Sequence, residues 1–479
     1  MEPVLTPEEM HAADRAAILA GTPEVVLMER AAGAVARAAV SMLGGTYGRR
    51  VVVVCGPGNN GGDGRIAAAM LARRGVRAVV FPTGAGLDRV AFARELARAD
   101  LAIDAMYGTG LGRALGPDDA WIVERVTAGP PVLAVDIPSG VDGATGVVLG
   151  AAVRASRTVT FAARKPGLVF EPGRAHAGAV TVADIGVDPA HGGPGIGLVS
   201  DADLASWIPA RPADAHKWAS AVLVIGGHDG MTGAPVLAGR AALRSGAGLV
   251  VAALPGAETA RRASGSEIIT RGFDADAEGT FASTVAPLLL DATDRFRAVV
   301  LGPGLGAGPG VPTVVDRLVG QVSRPLVVDA DALNALAGDT TPLRVRAAAG
   351  LPAAVLTPHA KEYERLSGGP VGADRVAAAR RLAGATGAVV LLKGPGTVIA
   401  APEGRVAIAA SGDARLATAG TGDVLSGVIG ALLARGVAPF EAAAAAAHAH
   451  GRAAEAGPAT GLVAGDLADR LPAALTPAP

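Results

Sequence analysis

Two glycine-rich segments of the sequence carry acidic side chains where a ligand could be bound and a proton transferred. The first segment is GPGNNGGDG, residues 56–64, and the second is LATAGTGDVLSG, residues 416–427. Each precedes a predicted helix, and the N–H groups at the start of a helix attract negatively charged ligands. Small residues also let the backbone approach an anion closely. The sequence therefore predicts two ligand-binding turns, and the second is suited to a phosphate.

The first segment combines glycines with three oxygen-bearing side chains, those of Asn59, Asn60 and Asp63. Its GPGNNG portion satisfies the G-x-G-x-x-G spacing of dinucleotide-binding folds. Those folds also place an acid about 20 residues later to hold a ribose, whereas the next predicted strand here ends in FPT, residues 81–83. An ordinary tight turn between a strand and a helix is the alternative interpretation.

Two further polar loops follow predicted strands of the same region: DAMYGTGLGR, residues 104–113, and DIPSG, residues 136–140. An isolated aspartate at a strand end is usually a cap or turn residue. Open α/β sheets, however, bind ligands at the carboxyl ends of their strands, so we expect the three loops to line one crevice. Asp136 is the best candidate for a general base there, and a ribose ligand is its alternative role.

The second segment places Asp423 at the start of a predicted helix, where an ordinary N-cap aspartate is the alternative. It is not a Walker A loop, because no Gly-Lys-Ser/Thr follows. Three other loops follow predicted strands: GPGLG at 302–306, TPHAKEYERL at 357–366, which includes His359 and Glu362, and KGPGT at 393–397. The last begins with Lys393, one of four lysines in a chain that otherwise uses arginine. These loops favour a nucleotide site with Asp423 facing a transferred phosphoryl group.

Short apolar runs alternate with helical patterns along the chain, which is typical of parallel strands joined by right-handed crossovers. A glycine- and proline-rich stretch near residues 186–197 interrupts this alternation. We therefore predict two α/β domains, a Rossmann-like doubly wound sheet in residues 1–195 and a second α/β domain in residues 196–479. The predicted strands are 51–55, 76–81, 101–105, 132–136, 158–161, 180–184, 221–225, 249–254, 298–301, 326–329, 353–357 and 388–392; the predicted helices include 27–43, 65–74, 88–98 and two that close the chain, 423–435 and 440–456.

The composition narrows the classes of function. The 43 basic and 44 acidic residues give a net charge of −1, which offers no electrostatic reason to expect nucleic acid or a membrane surface as partner. The single cysteine, Cys55, excludes an internal disulfide, and no Cys/His cluster has zinc spacing. No apolar stretch of about 20 residues is present, and the N-terminus carries acids where a signal peptide needs bases. We expect a cytoplasmic protein.

The first half of the chain resembles the NAD(P)H-hydrate epimerase domain over about residues 5–190. The matching segments are LMERAAG (27–33), GPGNNGGDG, DAMYGTGLGR, VDIPSG (135–140) and KPG (165–167). The resemblance implies a potassium ion held by Asn60, Asp104 and Ser139, and oxygen ligands suit such a hard cation. It also implies the following substrate-binding residues: Asn59, Asn60, Gly61, Gly62, Asp63, Gly108, Thr109, Gly110, Leu111, Gly112, Arg113, Ala114 and Asp136.

The second half resembles the ADP-dependent NAD(P)H-hydrate dehydratase domain, which has the ribokinase-like fold, over about residues 200–475. Two segments depart from the family pattern: WAS at 218–220, and SGDAR at 411–415. Magnesium is expected to accompany ADP, although no motif indicates its ligands. The resemblance implies that the hydrated cofactor contacts Gly304, His359 and Asp423, and that ADP contacts Lys393, Gly394, Pro395, Gly396, Thr397 and Gly422.

Together the two resemblances imply a repair enzyme that epimerises R and S forms of NAD(P)H hydrate and dehydrates the S form. ADP would be consumed to AMP and phosphate, with Asp423 accepting the hydroxyl proton as that oxygen attacks the terminal phosphate. The alternatives are a ribokinase-like small-molecule kinase with a ligand-binding N-terminal domain, and a non-catalytic nucleotide sensor. We expect a homo-oligomer with NAD(P)H hydrate and ADP as ligands.

Overall fold

The computed structural model describes residues 1–84, 86–192, 195–264 and 267–476. The chain divides into two compact units, Glu2–Ile196, and Gly197–Pro479 together with Met1; the sequence placed the division between residues 195 and 196. Within the described ranges, no helix is both long and apolar enough to cross a lipid bilayer.

The N-terminal unit is built around a parallel six-stranded sheet of order β3-β2-β4-β5-β6-β7. In strand β2, Val53 pairs with Val80 of β3 and with Ile103 of β4. Both faces of the sheet are covered by helices, so the inner strands are mostly apolar. The elements of this unit are β1 (Glu2–Val4), α1 (Pro7–Leu19), α2 (Glu24–Leu43), β2 (Arg50–Cys55), α3 (Asn59–Arg73), β3 (Arg77–Pro82), α4 (Arg89–Leu96), β4 (Leu101–Ala105), α5 (Pro117–Thr127), β5 (Val132–Val135), β6 (Arg157–Phe161), α6 (Gly173–Ala177) and β7 (Ala179–Ala183).

The C-terminal unit has a larger, mixed sheet of order β8-β17-β16-β15-β14-β13-β12-β9-β10-β11. The neighbouring strands β11, β10, β9, β12, β13, β14 and β15 run parallel to one another. Strand β16 is antiparallel to both of its neighbours, β15 and β17. Its strands are β8 (Ile196–Leu198), β9 (Ala221–Ile225), β10 (Leu249–Pro255), β11 (Ile269–Phe273), β12 (Ala298–Leu301), β13 (Leu326–Val328), β14 (Val355–Leu356), β15 (Val389–Leu392), β16 (Thr397–Ala400) and β17 (Val406–Ala409). Its helices are α7 (Asp201–Trp207), α8 (Gly233–Arg244), α9 (Ala257–Arg262), α10 (Ala286–Thr293), α11 (Val311–Gln321), α12 (Asp331–Ala335), α13 (Thr341–Ala348), α14 (Ala360–Ser367), α15 (Arg375–Thr386), α16 (Thr421–Ala434), α17 (Pro439–Glu455) and α18 (Ala464–Leu475).

Small residues let helix α16 lie in the centre of the C-terminal unit. Residues 424–434 are buried on every side of this helix, as expected for a helix that is apolar all round. A Cβ added at Gly427 would lie only 2.0 Å from the carbonyl oxygen of Ala238 on α8. The alanine-rich composition therefore has a structural use, since it allows close packing of helices at the base of the second site.

The predicted α/β class and its alternation are confirmed, but several elements differ from the sequence predictions. Helix α3 begins at Asn59 rather than at residue 65. The glycines before residue 65 lie within the helix and allow close packing, since a Cβ at Gly64 would lie 2.5 Å from that of Ala105. The prediction that two helices close the chain is wrong, since α18 follows them. Helix α1, strand β11 and the β16–β17 hairpin were not predicted.

Candidate active sites

The three polar loops of the N-terminal unit meet at one cavity of about 940 Å³. It lies at the carboxyl ends of β2, β4 and β5, as the parallel topology requires. Of the predicted substrate-binding residues, Gly61, Gly62 and Ala114 do not line it, and the two glycines instead pack against Gly56 and Met28. The predicted residues that line the cavity are Asn59, Asn60, Asp63, Gly108, Thr109, Gly110, Leu111, Gly112, Arg113 and Asp136.

Asp63 is the most deeply buried carboxyl group of this cavity, with 7% of its surface exposed. It lies in the second turn of α3, and its Oδ1 receives no hydrogen bond from any part of the chain that the structure describes. Burial, together with the negative charges of Asp136 and Asp14, raises the pKa of Asp63 to about 7. A carboxyl group in this environment exchanges a proton readily near neutral pH.

Asp136 occupies a strained position immediately after β5. Its φ is 67°, and the backbone closes a tight turn around it, with the Ile137 N–H donating to the Val135 carbonyl at 2.8 Å. A non-glycine residue reaches this conformation only where the surrounding structure imposes it. The fully buried Lys165 donates to Asp136 Oδ1 at 2.6 Å and Thr160 donates to the same atom at 3.0 Å. The geometry therefore holds Asp136 as a paired carboxylate at the cavity wall.

The predicted potassium ligands lie in or behind the same wall. Asp104 is 1% exposed and accepts hydrogen bonds from the Ser139 hydroxyl at 2.6 Å and the Ser139 N–H at 2.8 Å. Burial raises the pKa of Asp104, although the bonds from Ser139 oppose that rise. The Asn60 side chain contacts the position a Cβ would take at Gly108, and neither its amide oxygen nor its amide nitrogen has a partner among the described residues.

The N-terminal helix α1 contributes a cavity wall that the sequence analysis missed. Met10, His11, Asp14, Arg15 and Ile18 line the cavity. A recognisable signal precedes them, since Thr6 and Glu9 form a capping box at the start of α1. The segment was interpreted only as lacking a signal peptide, and its T-x-x-E pattern would have predicted the helix.

In the C-terminal unit, Lys393 stands at the centre of a network of buried acids. Its Nζ lies 3.1 Å from Asp329 Oδ1 and 3.7 Å from Glu362 Oε2, and the Ser426 hydroxyl donates to Asp329 at 2.5 Å. Burial alone would raise the pKa of Asp329, but Lys393 and Ser426 outweigh burial and lower it. The ammonium therefore has carboxylate partners inside the protein, which the sequence did not reveal.

The start of α16 brings Asp423 beside this network. A Cβ built at Gly422 would lie 3.7 Å from Lys393 Nζ. Burial, reinforced by the charge of Asp329 and opposed by that of Lys393, raises the pKa of Asp423 to about 7. Gly420, with a φ of 86°, precedes the helix, so the first N–H groups of α16 and a carboxyl group able to accept a proton lie together. This arrangement suits a hydroxyl attacking a phosphate.

His359 performs the role of a helix cap at the start of α14. Its Nδ1 accepts hydrogen bonds from the N–H groups of Lys361 and Glu362 at 3.1 and 3.2 Å. Because Nδ1 accepts, the neutral ring carries its proton on Nε2. Half of the side chain is exposed, and Nε2 lies 3.5 Å from Glu362 Oε1.

The remaining predicted residues fall on two loops at the same end of the sheet. Gly304 has a φ of 63°, and its carbonyl oxygen lies 2.9 Å from Nδ1 of His228, a residue of the loop after β9 that the sequence analysis passed over. Residues 394–396 form the turn that joins β15 to β16, and Thr397 is the first residue of β16. Gly394 and Pro395 are exposed.

The two segments that depart from the family pattern both adopt short 3-10 helices, Lys217–Ser220 and Ala414–Leu416. In the second, the Asp413 carboxylate caps the turn and pairs with Arg415 at 2.6 Å. The unusual loop is thus stabilised by contacts of its own.

Comparison with known proteins identifies the family. The model for NAD(P)H-hydrate dehydratase matches residues 222–477, and that for the YjeF-related protein N-terminus matches residues 24–91 and 86–167. Bifunctional NAD(P)H-hydrate repair enzymes of Salinibacter ruber and Mycobacterium leprae are 39% and 41% identical, over 98% and 92% of this chain and 95% and 91% of theirs. A solved structure, the ADP/ATP-dependent NAD(P)H-hydrate dehydratase of Bacillus subtilis, is 29% identical with a TM-score of 0.49, covering 58% of this chain and 97% of that one. Because the likeness to these relatives extends over both units, the chain belongs to the family of bifunctional NAD(P)H-hydrate repair enzymes.

Proposed function

We propose that the chain restores hydrated nicotinamide cofactors by two reactions. The N-terminal unit, residues 1–195, interconverts the R and S epimers of NAD(P)H hydrate. The C-terminal unit, residues 196–479, dehydrates the S epimer to NAD(P)H while ADP is consumed to AMP and phosphate. The observation that carries this proposal is Asp423, whose pKa near 7 and position beside Lys393 at the start of α16 suit it to accept a hydroxyl proton.

The chemistry of the substrate explains why a nucleotide is consumed. Water adds to a dihydronicotinamide at the carbon next to the ring nitrogen, and hydroxide is a poor leaving group from that carbon. When Asp423 accepts the hydroxyl proton, the oxygen can attack the terminal phosphate of ADP, and the phosphate then leaves with its electron pair as the ring nitrogen pushes. Loss of a proton from the neighbouring carbon restores NAD(P)H. The N–H groups that begin α16 stabilise the transferred charge.

We propose that the nucleotide lies over residues 393–397 and Gly422. Lys393 is tied to Asp329, so it acts as a fixed positive charge beside the phosphates rather than as a mobile side chain. The described residues hold no cluster of three His, Cys, Asp or Glu able to ligate a metal. Magnesium bound with ADP would neutralise part of the charge of its phosphates.

We also propose the potassium site of Asn60, Asp104 and Ser139. The donor set fits a monovalent cation, since all three side chains offer oxygen and none offers a nitrogen base or thiolate. Asp104 is buried, and Asn60 has an amide oxygen without a partner in the described ranges. A bound cation would offset the cost of burying the Asp104 carboxylate. It would also give the amide oxygen of Asn60 a partner. A homo-oligomeric state and a cytoplasmic location stay predictions.

One experiment separates this proposal from its alternatives. The protein is incubated with a mixture of R and S NADPH hydrate and ADP, and the absorbance of restored dihydronicotinamide is followed. We expect recovery of both epimers. A small-molecule kinase would instead accumulate a stable phosphorylated product, and a nucleotide sensor would bind ADP without turnover. Absence of recovery with both ADP and ATP would refute the repair function.

A further inference from the structure

Two of the aspartates that line the N-terminal cavity, Asp63 and Asp136, lie in different environments. Asp136 is neutralised by Lys165, whose Nζ makes three contacts: 2.6 Å to Asp136, 2.9 Å to Thr160 and 3.0 Å to the Phe161 carbonyl. Asp63 lines the same cavity while 93% of its surface is buried, and its Oδ1 has no hydrogen-bond partner in the chain as described. The Lys165 ammonium therefore compensates the charge of the Asp136 carboxylate, whereas the burial of Asp63 favours the protonated form of that group.

Epimerisation of the hydrate requires both a proton donor and a proton acceptor. The hydroxyl sits on a carbon bonded to the ring nitrogen, so the nitrogen lone pair can expel it once the departing oxygen is protonated. The resulting iminium carbon is flat, and water can add to its other face if a base removes the water proton. A single carboxyl group cannot be protonated and ionised at once, so two groups serve this reaction better than one.

We propose that Asp63 is the catalytic acid of the epimerase site and that Asp136 is its paired base. In one direction, the C–O bond breaks as Asp63 gives its proton to the leaving hydroxyl, and water leaves. A second water then forms the new C–O bond while its proton passes to Asp136. The proton returns from Asp136 to Asp63 through the open cavity, and the reverse reaction exchanges the two roles. No oxidant or further reactant is needed.

The charged groups around the cavity support this division of roles. Acidic residues face Asp63, whereas the fully buried ammonium faces Asp136. The negative charges of Asp136 and Asp14 both raise the pKa of Asp63 and so favour its protonated form. The other titratable or charged side chains that line the cavity are His11 and Arg15 on α1, Glu24 on α2, Tyr107 and Arg113.

This inference rests on the proposed epimerase function, and oxygen labelling tests the two separately. Pure R-hydrate is converted by the full chain with excess ADP in water enriched in oxygen-18, and the phosphate released is analysed by mass spectrometry. Cleavage of the C–O bond places one solvent oxygen on the S-hydrate, and phosphorylation carries that oxygen into phosphate. We expect labelled phosphate from R-hydrate, and less label in the phosphate from S-hydrate, of which only a part passes through the epimerase site before it is dehydrated. Unlabelled phosphate from R-hydrate would overturn the inference, whereas failure to convert R-hydrate at all would refute the epimerase function instead.

Substitutions then assign the acid. Asp63→Asn is expected to slow conversion of R-hydrate at least 100-fold, while dehydration of S-hydrate by the same protein stays unchanged and shows that the chain is folded. The rate of the native protein is expected to fall above neutral pH, where Asp63 loses its proton, and the residual rate of Asp63→Asn is expected to lack that fall. Asp118→Asn, which alters an exposed carboxylate paired with Arg89, serves as the matched control. If Asp63→Asn retained the native rate or the same pH dependence, Asp63 would not be the acid.

Discussion

Substitution of Asp423 by asparagine is expected to slow dehydration strongly and to stabilise the C-terminal unit at the same time. The pKa of this carboxyl is raised to about 7 from an ordinary value of 3.8, chiefly by burial. The folded protein therefore holds the proton more tightly than the unfolded chain does. Below about pH 4 both states are protonated and the carboxyl has no effect on stability, whereas above pH 7 its ionisation destabilises the fold.

The magnitude follows from that shift. About three pKa units at about 1.4 kcal/mol each give an upper limit of about 4 kcal/mol, and partial solvent access reduces it to about 1–3 kcal/mol. Asp423→Asn should raise the free energy of unfolding by this amount at pH 8, and the gain should vanish near pH 4. Urea unfolding of the C-terminal unit at both pH values measures the difference. The quantity to compare is the gain in the free energy of unfolding of Asp423→Asn over the native protein. If this gain were no larger at pH 8 than at pH 4, the assigned burial cost would be refuted.

The pH dependence of the dehydration rate gives a second measure of the ionisation of Asp423. A base must be ionised, so kcat/KM for S-hydrate should rise about tenfold per pH unit below pH 7 and level off above pH 8. Asp423→Asn should lower kcat by about 100- to 10,000-fold and leave ADP binding nearly intact. Asp329→Asn should move the rise to lower pH, because the charge of Asp329 raises the pKa of Asp423. A flat native profile between pH 5.5 and 8.5 would contradict the base assignment.

Three other predictions address the N-terminal site and the packing. Asp136→Ala should block use of R-hydrate while dehydration of S-hydrate continues; loss of both activities, followed by absorbance, would contradict independent sites. Asn60→Leu should remove any rise in melting temperature that potassium gives over an equal concentration of a large organic cation, and an unchanged potassium response would exclude this ligand. Gly427→Ala should lower the free energy of unfolding by about 2–4 kcal/mol because its Cβ would collide with the Ala238 carbonyl, whereas Gly320→Ala, which meets open space on α11, should raise it by up to about 1 kcal/mol; equal effects in chemical denaturation would disprove the packing argument.

Much of the fold could be predicted from the sequence because buried parallel strands are short apolar runs bounded by glycine loops. Residues 101–105, 221–225 and 298–301 have the same bounds in the structure as in the sequence prediction. The start of α3 could not be predicted from the sequence, because Gly61 and Gly64 resemble turn residues there. Only the structure shows that they permit close packing, of Gly61 against Gly56 and of Gly64 against Cys55 of β2 and Ala105 of β4.

The sequence by itself determined which side chains are available to each site, since the motifs name their residues and parallel topology brings strand ends together. The tertiary structure decided the charge environment of those side chains. It placed Lys165 on Asp136 and Lys393 on Asp329, gave Asp63 no such cation among the residues that the structure describes, and raised the pKa of Asp63 and Asp423 to about 7. The physical reason is that desolvation and Coulomb interactions depend on distance in space, which residue type and spacing along the chain do not specify.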